Sequence, residues 1–180
     1  MNSLKYRQEG LLSLIKGRRI DRSDPYLESV AQCRELAMLR EIAVWWRKLH
    51  VGSQCRFTAR LLKRLGIFDT LVSQYFNNNA TSPYIEELSL GFLSSLGAHA
   101  NAVVRAVSQF EWAFHKVRAG SGDRYEVCWD RHPAKFLCAL AEDGELPALE
   151  DGVLYRMTVG GDIPGLFECV RESELDTVAS

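Results

Sequence analysis

Apolar residues recur at helical spacing along most of the first two thirds of the chain, from Asp24 to Arg118. Glycine and proline residues stand where successive helices would stop, so the pattern predicts a helical bundle. The first long helix is predicted to begin after Ser23 or Asp24, with Pro25 in its first turn, and to end near Gly52. Its inward-facing side chains are expected to be Leu27, Val30, Leu36, Leu39, Ile42, Ala43 and Trp46.

Two adjacent tryptophans, Trp45 and Trp46, lie within this predicted helix. Successive side chains on a helix point in different directions, so both indoles cannot face the core. We therefore expect at least one of them to reach a second surface, either the C-terminal part of the chain or a partner, where tryptophan is a common anchor.

A basic helix is predicted from Ser53 to Leu65, with Gly66 as its C-terminal stop. The residues expected to face the core are Cys55, Phe57, Ala59 and Leu62. Those expected to face outward are Arg56, Arg60, Lys63 and Arg64. A further helix from Ile67 to Phe76 is predicted to end in a loop, because asparagine competes with helical hydrogen bonding. That loop consists of three asparagines, Asn77, Asn78 and Asn79.

Two more helices complete the predicted bundle. The first starts at Pro83 and continues to Gly97, and the second covers Asn101 to Arg118. The signals for the start at Pro83 are two potential caps and two acidic residues near the positive end of the helix, which are Thr81, Ser82, Glu86 and Glu87. The bundle is predicted to end at the flexible segment Ala119–Gly122.

The pattern changes after this segment. A strand is predicted from Arg124 to Trp129, a short helix from Pro133 to Ala141, and strands from Leu154 to Val159 and from Leu166 to Arg171. The predicted fold is therefore mainly α, a helical bundle in residues 1–120 followed by a small mixed α/β module with a C-terminal hairpin in residues 121–180. Such a small sheet is not stable alone, so we expect it to pack on the bundle.

Composition and charge add a second division. Hydrophobic residues make up 47% and charged residues 25% of the 180 residues, values typical of a folded protein in water. The stretch from Met1 to Arg64 has a net charge of +8, and the remainder has −9. This asymmetry suits a basic face for an acidic partner or nucleic acid, but solvated helix faces also differ in sign by chance. Without a membrane span or signal peptide in the pattern, we expect a cytoplasmic protein.

Few residues are arranged for catalysis. Five scattered cysteines without CxxC spacing disfavour a disulfide framework or zinc site, and the four histidines show no ligand spacing. His115, one turn after Glu111, is interpreted as half of a surface pair. Glycine-rich phosphate loops are absent from the sequence. A Cys55 nucleophile remains as a third hypothesis, because one sequence cannot show whether this thiol meets a base.

The sequence supports a binding function better than a catalytic one. The basic helix with Arg56, Arg60 and Arg64 could grip phosphates, which makes a DNA-binding or regulatory module the alternative function. The acidic second half of the chain would repel a duplex, so we disfavour nucleic acid. An acidic peptide or protein uses the same charges with fewer conflicts. The predicted hairpin offers another route, since an uncovered strand edge can pair with an extended peptide.

Several short runs resemble a known family. They are Cys55–Thr58, Tyr75–Asn79, Ser82–Glu87 and Phe110–Ala113. Together they are similar to the small partner subunits of multinuclear iron oxidative enzymes, TIM-barrel proteins that modify ribosomally made peptides. The resemblance covers mainly Trp45 to Val117, and it is closest to the member of the 3-thiaglutamate pathway and more distant to that of methanobactin synthesis.

The resemblance implies a heterodimer in which the TIM-barrel partner holds the iron and performs the oxygen chemistry. This chain would then be a non-catalytic subunit without a cofactor or metal of its own, which binds the precursor peptide and positions its cysteine. In the 3-thiaglutamate pathway the joint reaction excises a carbon from a C-terminal cysteine. We expect the partner-interface residues to be Arg56, Arg60, Arg64, Asn77, Asn78, Asn79 and Tyr84. The expected peptide-binding residues are Leu154, Arg156 and Thr158, on the strand predicted to pair with the peptide.

Overall fold

Helices occupy most of the chain before the first strand. The computed structural model describes residues 3–20, 23–79, 84–149 and 152–172. The helices in these ranges are α1 (Ser3–Ile15), α2 (Pro25–Ala31), α3 (Glu35–Gln54), α4 (Arg56–Arg64), α5 (Phe68–Asn78), α6 (Ile85–Ser95), α7 (Ala102–Arg118) and α8 (Pro133–Ala141). None of the helices in this described part is long and apolar enough to cross a membrane.

The predicted first helix is two helices, because the chain leaves helical geometry between α2 and α3. Asp24 caps α2 by accepting a hydrogen bond from Tyr26 N, as the sequence suggested. Leu27 before the break and Leu36 after it are buried, as predicted. Our prediction that Leu39, Ile42 and Trp46 face the core is wrong, since all three are exposed.

The end of α4 agrees with the prediction. Gly66 has φ of 69°, a conformation that favours glycine. Its N–H donates to Lys63 O, and the next N–H, of Ile67, donates to Leu62 O, each at 3.0 Å. These two bonds form a Schellman motif, which satisfies carbonyls left free at the helix end. The predicted core residues Cys55, Ala59 and Leu62 are buried.

Two other helix boundaries differ from the sequence reading. Helix α5 continues to Asn78, so Asn77 and Asn78 are helical and only Asn79 leaves the helix. Helix α6 begins at Ile85, with Glu86 and Glu87 in its first turn as predicted. The predicted caps and start of that helix lie outside the described residues; they are Thr81, Ser82 and Pro83.

A three-stranded antiparallel sheet follows the helices, in the order β1 (Tyr125–Trp129), β2 (Leu154–Val159), β3 (Phe167–Glu172). Val127 pairs with Met157, which pairs in turn with Cys169. A short 3₁₀ turn, Pro164–Leu166, lies in the loop between β2 and β3. The fold class is confirmed: mainly α, with a small α/β module at the C-terminal end.

One hydrophobic core joins the helices and the sheet. It contains Phe92 and Val104 from the helices, Trp129 and Met157 from the inner face of the sheet, and Phe136 from α8. A second, smaller cluster of Leu14, Leu27 and Leu36 holds α1 and α2 against the start of α3. The inner face of the sheet thus completes the core, while the division at residue 120 stays a prediction.

Candidate binding surfaces

Two arginines of α4 bind the C-terminal end of α8. Arg60 Nη1 donates to Leu140 O at 2.8 Å and also to Ala141 O. Arg64 donates to Gly144 O at 2.7 Å and pairs with the Asp143 carboxylate at 3.2 Å. Cations at this end of a helix satisfy its free carbonyls and interact favourably with its dipole. These two predicted partner-interface residues therefore have a role within the chain.

The role of Arg60 makes a substitution there informative. Arg60→Glu should lower the free energy of unfolding by about 1–3 kcal/mol, because it removes hydrogen bonds to two helix-terminal carbonyls and places an anion beside them. Urea denaturation followed by circular dichroism measures this loss. Arg56→Glu is the matched control, since Arg56 is an exposed residue of the same helix. We expect it to change the free energy of unfolding by no more than about 0.5 kcal/mol. Equal stability of the two variants would contradict this role of Arg60.

The asparagine segment is also engaged within the chain. Asn77 O accepts a hydrogen bond from Arg18 at 3.1 Å, and Asn79 Nδ2 donates to Tyr75 O at 2.8 Å. Asn78 and Tyr84 are exposed, and residues 80–83 between them lie outside the described ranges. Arg60 and Arg64 are thus tied to the end of α8, whereas Asn77 is tied to the segment after α1.

The strand predicted to receive a peptide is the central one. β2 pairs with β1 along one side and with β3 along the other. Its main-chain groups already belong to two ladders, so our prediction that a peptide pairs with β2 is wrong. A local pattern identifies a strand but does not fix its place in the sheet. The side chains of Leu154, Arg156 and Thr158 share the outer face of the sheet, opposite the core.

This outer face carries a small charge network. Arg156 lies 3.7 Å from the Glu126 carboxylate of β1 and also pairs with Glu172 of β3. Leu154 and Val170 on the same face are more than half exposed. The face is therefore acidic overall, with one arginine between carboxylates and two exposed apolar side chains.

A buried carboxylate begins helix α4. Glu111 of α7 is only 4% exposed, and its two oxygens accept hydrogen bonds from Phe57 N at 3.0 Å and Thr58 N at 2.9 Å. It acts as a cap supplied by another helix. Burial raises the pKa of Glu111 to about 7, although the hydrogen bonds from Thr58 and Phe57 lower it. Our interpretation of Glu111 and His115 as a surface pair is wrong, because His115 Nε2 lies 3.0 Å from Gln54 O instead.

Cys55 lies near Glu111 in the same buried region. Its side chain is fully buried, and its Sγ lies 3.9 Å from Ser89 O. Burial, with the nearby Glu111 carboxylate, raises the pKa of the Cys55 thiol well above its usual range. A thiol that remains protonated is a poor nucleophile, so the geometry does not favour Cys55 as a catalytic residue.

The histidines have separate surroundings. His99 Nδ1 accepts a hydrogen bond from Asn101 N, His132 caps the start of α8, and the His50 ring stacks on Trp46. Within the described ranges, no three side chains of His, Cys, Asp or Glu are grouped so that they could hold a metal ion.

Helix α3 exposes a large apolar face. Both tryptophans, Trp45 and Trp46, are about half exposed, which agrees with the prediction that they cannot both face the core. The exposed apolar side chains of this helix are Met38, Leu39, Ile42, Val44, Trp45, Trp46 and Leu49. Soluble monomers rarely expose a continuous face of this kind, so it is a candidate interaction surface.

A groove lies along one side of this face. Its volume is about 350 Å³, and it is lined by Arg40, Glu41, Val44, Trp45 and Lys48. Lys48 also pairs with Asp69 of α5 at 2.7 Å. Apart from the exposed tryptophan, this surface was not predicted, although the spacing of Met38, Ile42, Trp45 and Leu49 was a signal for it.

Comparisons with protein-family models, with curated proteins and with solved structures find no match to this chain.

Proposed function

We propose that this chain is the non-catalytic, substrate-recognition subunit of a heterodimeric iron-dependent oxidase that modifies a cysteine of a ribosomally made precursor peptide. The observation that carries the proposal is strand β3, which ends the order β1-β2-β3 and pairs within the described residues only with β2. A strand paired on one side presents main-chain donors and acceptors to an extended peptide.

The position of β3 suits peptide binding. Its inner face is anchored, since the Phe167 ring meets the Phe110 ring of α7 at 5.7 Å between centroids. Its outer side chains, including Glu168 and Val170, are exposed. A peptide added along β3 extends the sheet by one strand, with main-chain bonds supplying affinity and side chains such as Val170 supplying selectivity. The expected peptide-binding strand is therefore β3 and not β2.

The nature of the partner follows from the resemblance of the four short runs to partner subunits of iron oxidases. In this proposal the TIM-barrel subunit binds the iron and oxygen, and this chain presents the peptide. The peptide is modified at its C-terminal cysteine by excision of a carbon. Arg56, Asn78 and Tyr84 are exposed residues that could contact the barrel subunit without disturbing the α4–α8 contact.

The complex can be tested by co-expression with a TIM-barrel iron oxidase of the family that the resemblance indicates. We expect the two chains to co-elute on size exclusion, with iron present only in fractions that contain the barrel subunit. Separate elution, or iron bound by this chain alone, would contradict the proposal. Binding of duplex DNA at physiological ionic strength, weakening as salt rises, would support the alternative of a DNA-binding module.

The peptide site can be tested separately by fluorescence anisotropy with the labelled precursor peptide. Val170→Lys should weaken binding about tenfold, a loss of about 1.4 kcal/mol, because it removes apolar contact beside the new strand. Leu154→Lys is the matched control, because Leu154 is similarly exposed but belongs to the central strand. Equal losses in both variants would place the peptide across the sheet face instead of along the β3 edge.

A further inference from the structure

Helix α3 is apolar on two opposite faces. One face packs inward through Leu36 and Val51, which are buried. The other carries an exposed stripe of four large side chains, Met38, Ile42, Trp45 and Leu49. Their spacing of four, three and four residues is that of a helix seam that packs against another helix.

We propose that this stripe pairs with the same stripe of a second copy of the chain, with the two α3 helices antiparallel. A spacing of four, three and four reads the same in both directions along the helix. Antiparallel pairing about a two-fold axis therefore sets Ile42 opposite Trp45 of the second copy, and Met38 opposite its Leu49. The interface is self-complementary, as a two-fold dimer requires.

The charges beside the stripe agree with this orientation. Glu41 and Lys48 are seven residues apart, so they lie on the same flank of α3. In an antiparallel pair, equivalent flanks face each other, and Glu41 of each copy lies near Lys48 of the other. The Lys48 ammonium, which already pairs with Asp69 at 2.7 Å, has three N–H donors and can serve both carboxylates. A parallel pair would not bring Glu41 and Lys48 together in this way.

The groove on α3 fits a helix rather than a small molecule. Four of its lining residues, Glu41, Val44, Trp45 and Lys48, stand at positions i, i+3, i+4 and i+7. Four residues in this arrangement form the hole that receives one side chain of a facing helix in knobs-into-holes packing. This groove lies on the flank that carries Glu41 and Lys48, and Trp45 joins it to the stripe.

The size of the contact sets the expected affinity. From Met38 to Leu49 the stripe spans about 17 Å along the helix, since each residue rises about 1.5 Å. A contact of this length falls below the standard interface area, so we expect a dissociation constant of about 1–100 µM. This inference goes beyond the proposed function, because it concerns the full chain without the oxidase or the peptide.

Sedimentation equilibrium of the purified full chain tests the proposal, with circular dichroism to show that each variant is folded. We expect a dimer that dissociates on dilution and is lost in Ile42→Lys. Leu149→Lys is the matched control, since Leu149 is exposed outside α3, and it should dimerise normally. A monomer at all concentrations, or a dimer unaffected by Ile42→Lys, would overturn the proposal.

The orientation has its own test, which uses residues whose exchange leaves the apolar stripe intact. Glu41→Lys or Lys48→Glu alone should weaken dimerisation about tenfold, because each places like charges together twice across the two-fold axis. The double variant should restore the affinity to within about twofold of the unmodified chain. A dimer that both single changes weaken but the double change does not restore would overturn the antiparallel arrangement.

Discussion

Glu111→Ala is expected to lower the free energy of unfolding by about 2–4 kcal/mol, because it leaves two buried backbone N–H groups at the start of α4 without an acceptor. Those groups, Phe57 N and Thr58 N, now donate to the Glu111 carboxylate at 3.0 and 2.9 Å. Urea denaturation at pH 7 measures the loss. Glu111→Gln is the matched variant, because its amide keeps one oxygen acceptor in nearly the same volume.

The carboxyl of Glu111 also predicts a dependence of stability on pH. Its pKa in the folded chain is raised from 4.5 to about 7. At pH values between 4.5 and about 7, the Glu111 carboxyl is mostly protonated in the folded state and mostly ionised in the unfolded state. The contribution to stability is therefore complete below about pH 4.5 and is lost as the pH rises through about 7, a change on the order of 3 kcal/mol.

The two Glu111 variants separate this effect from other titrations. Urea denaturation of the unmodified chain from pH 5 to 8 should show stability falling as pH rises, beyond any trend shared with Glu111→Gln. The glutamine variant lacks the titrating group, so the difference between the two chains isolates Glu111. Parallel pH profiles for both chains would show that the carboxyl is already ionised throughout this range.

Phe136→Ala is expected to lower the free energy of unfolding by about 3–5 kcal/mol, the usual range for truncating a fully buried phenylalanine to alanine. Phe136 is 0% exposed in α8, and its ring lies 5.9 Å from that of Trp129 in β1. It therefore fills the core where α8, the sheet and α4 meet. Leu154→Ala is the control, since this side chain is exposed on the outer sheet face. It should lower the free energy of unfolding by less than about 0.5 kcal/mol.

The same variant tests whether the two predicted domains unfold separately. Trp129 is the one tryptophan after residue 120, so its fluorescence is followed with Trp45, Trp46 and Trp112 replaced by phenylalanine. We expect this signal and helical circular dichroism to report one coincident transition that moves to lower urea in Phe136→Ala, because one core includes residues of both parts. A variant in which Trp129 fluorescence changes first while the helical signal remains would show that residues 121–180 unfold as an independent unit.

Local chemistry explains the parts of the fold that the sequence predicted correctly. Helix α8 has the predicted bounds, since Pro133 suits a first helical turn and His132 supplies a cap. Gly66 ends α4 because it adopts a left-handed conformation. Strand β2 also has its predicted bounds, from the alternation of buried and exposed side chains. Each of these signals is contained within a few residues of the element that it predicts.

The errors arose where distant parts of the chain decide the outcome. The break between α2 and α3 contains neither glycine nor proline, so no local signal predicted that this stretch forms two helices. The position of β2 at the centre of the sheet depends on how β3 returns to it. Glu111 meets the start of α4 across more than fifty residues, and a single sequence gives no sign of that contact. The candidate surfaces were therefore harder to predict than the helices.

The ion pair of Arg64 with Asp143 joins the basic first part of the chain to its acidic second part. A chain cut between Ser121 and Gly122 would give fragments with net charges of +7 and −8. Such fragments attract each other over about 10 Å at ordinary ionic strength, and this attraction weakens as salt is added. The uneven charge of the chain therefore also predicts a salt-sensitive attraction between its own two parts.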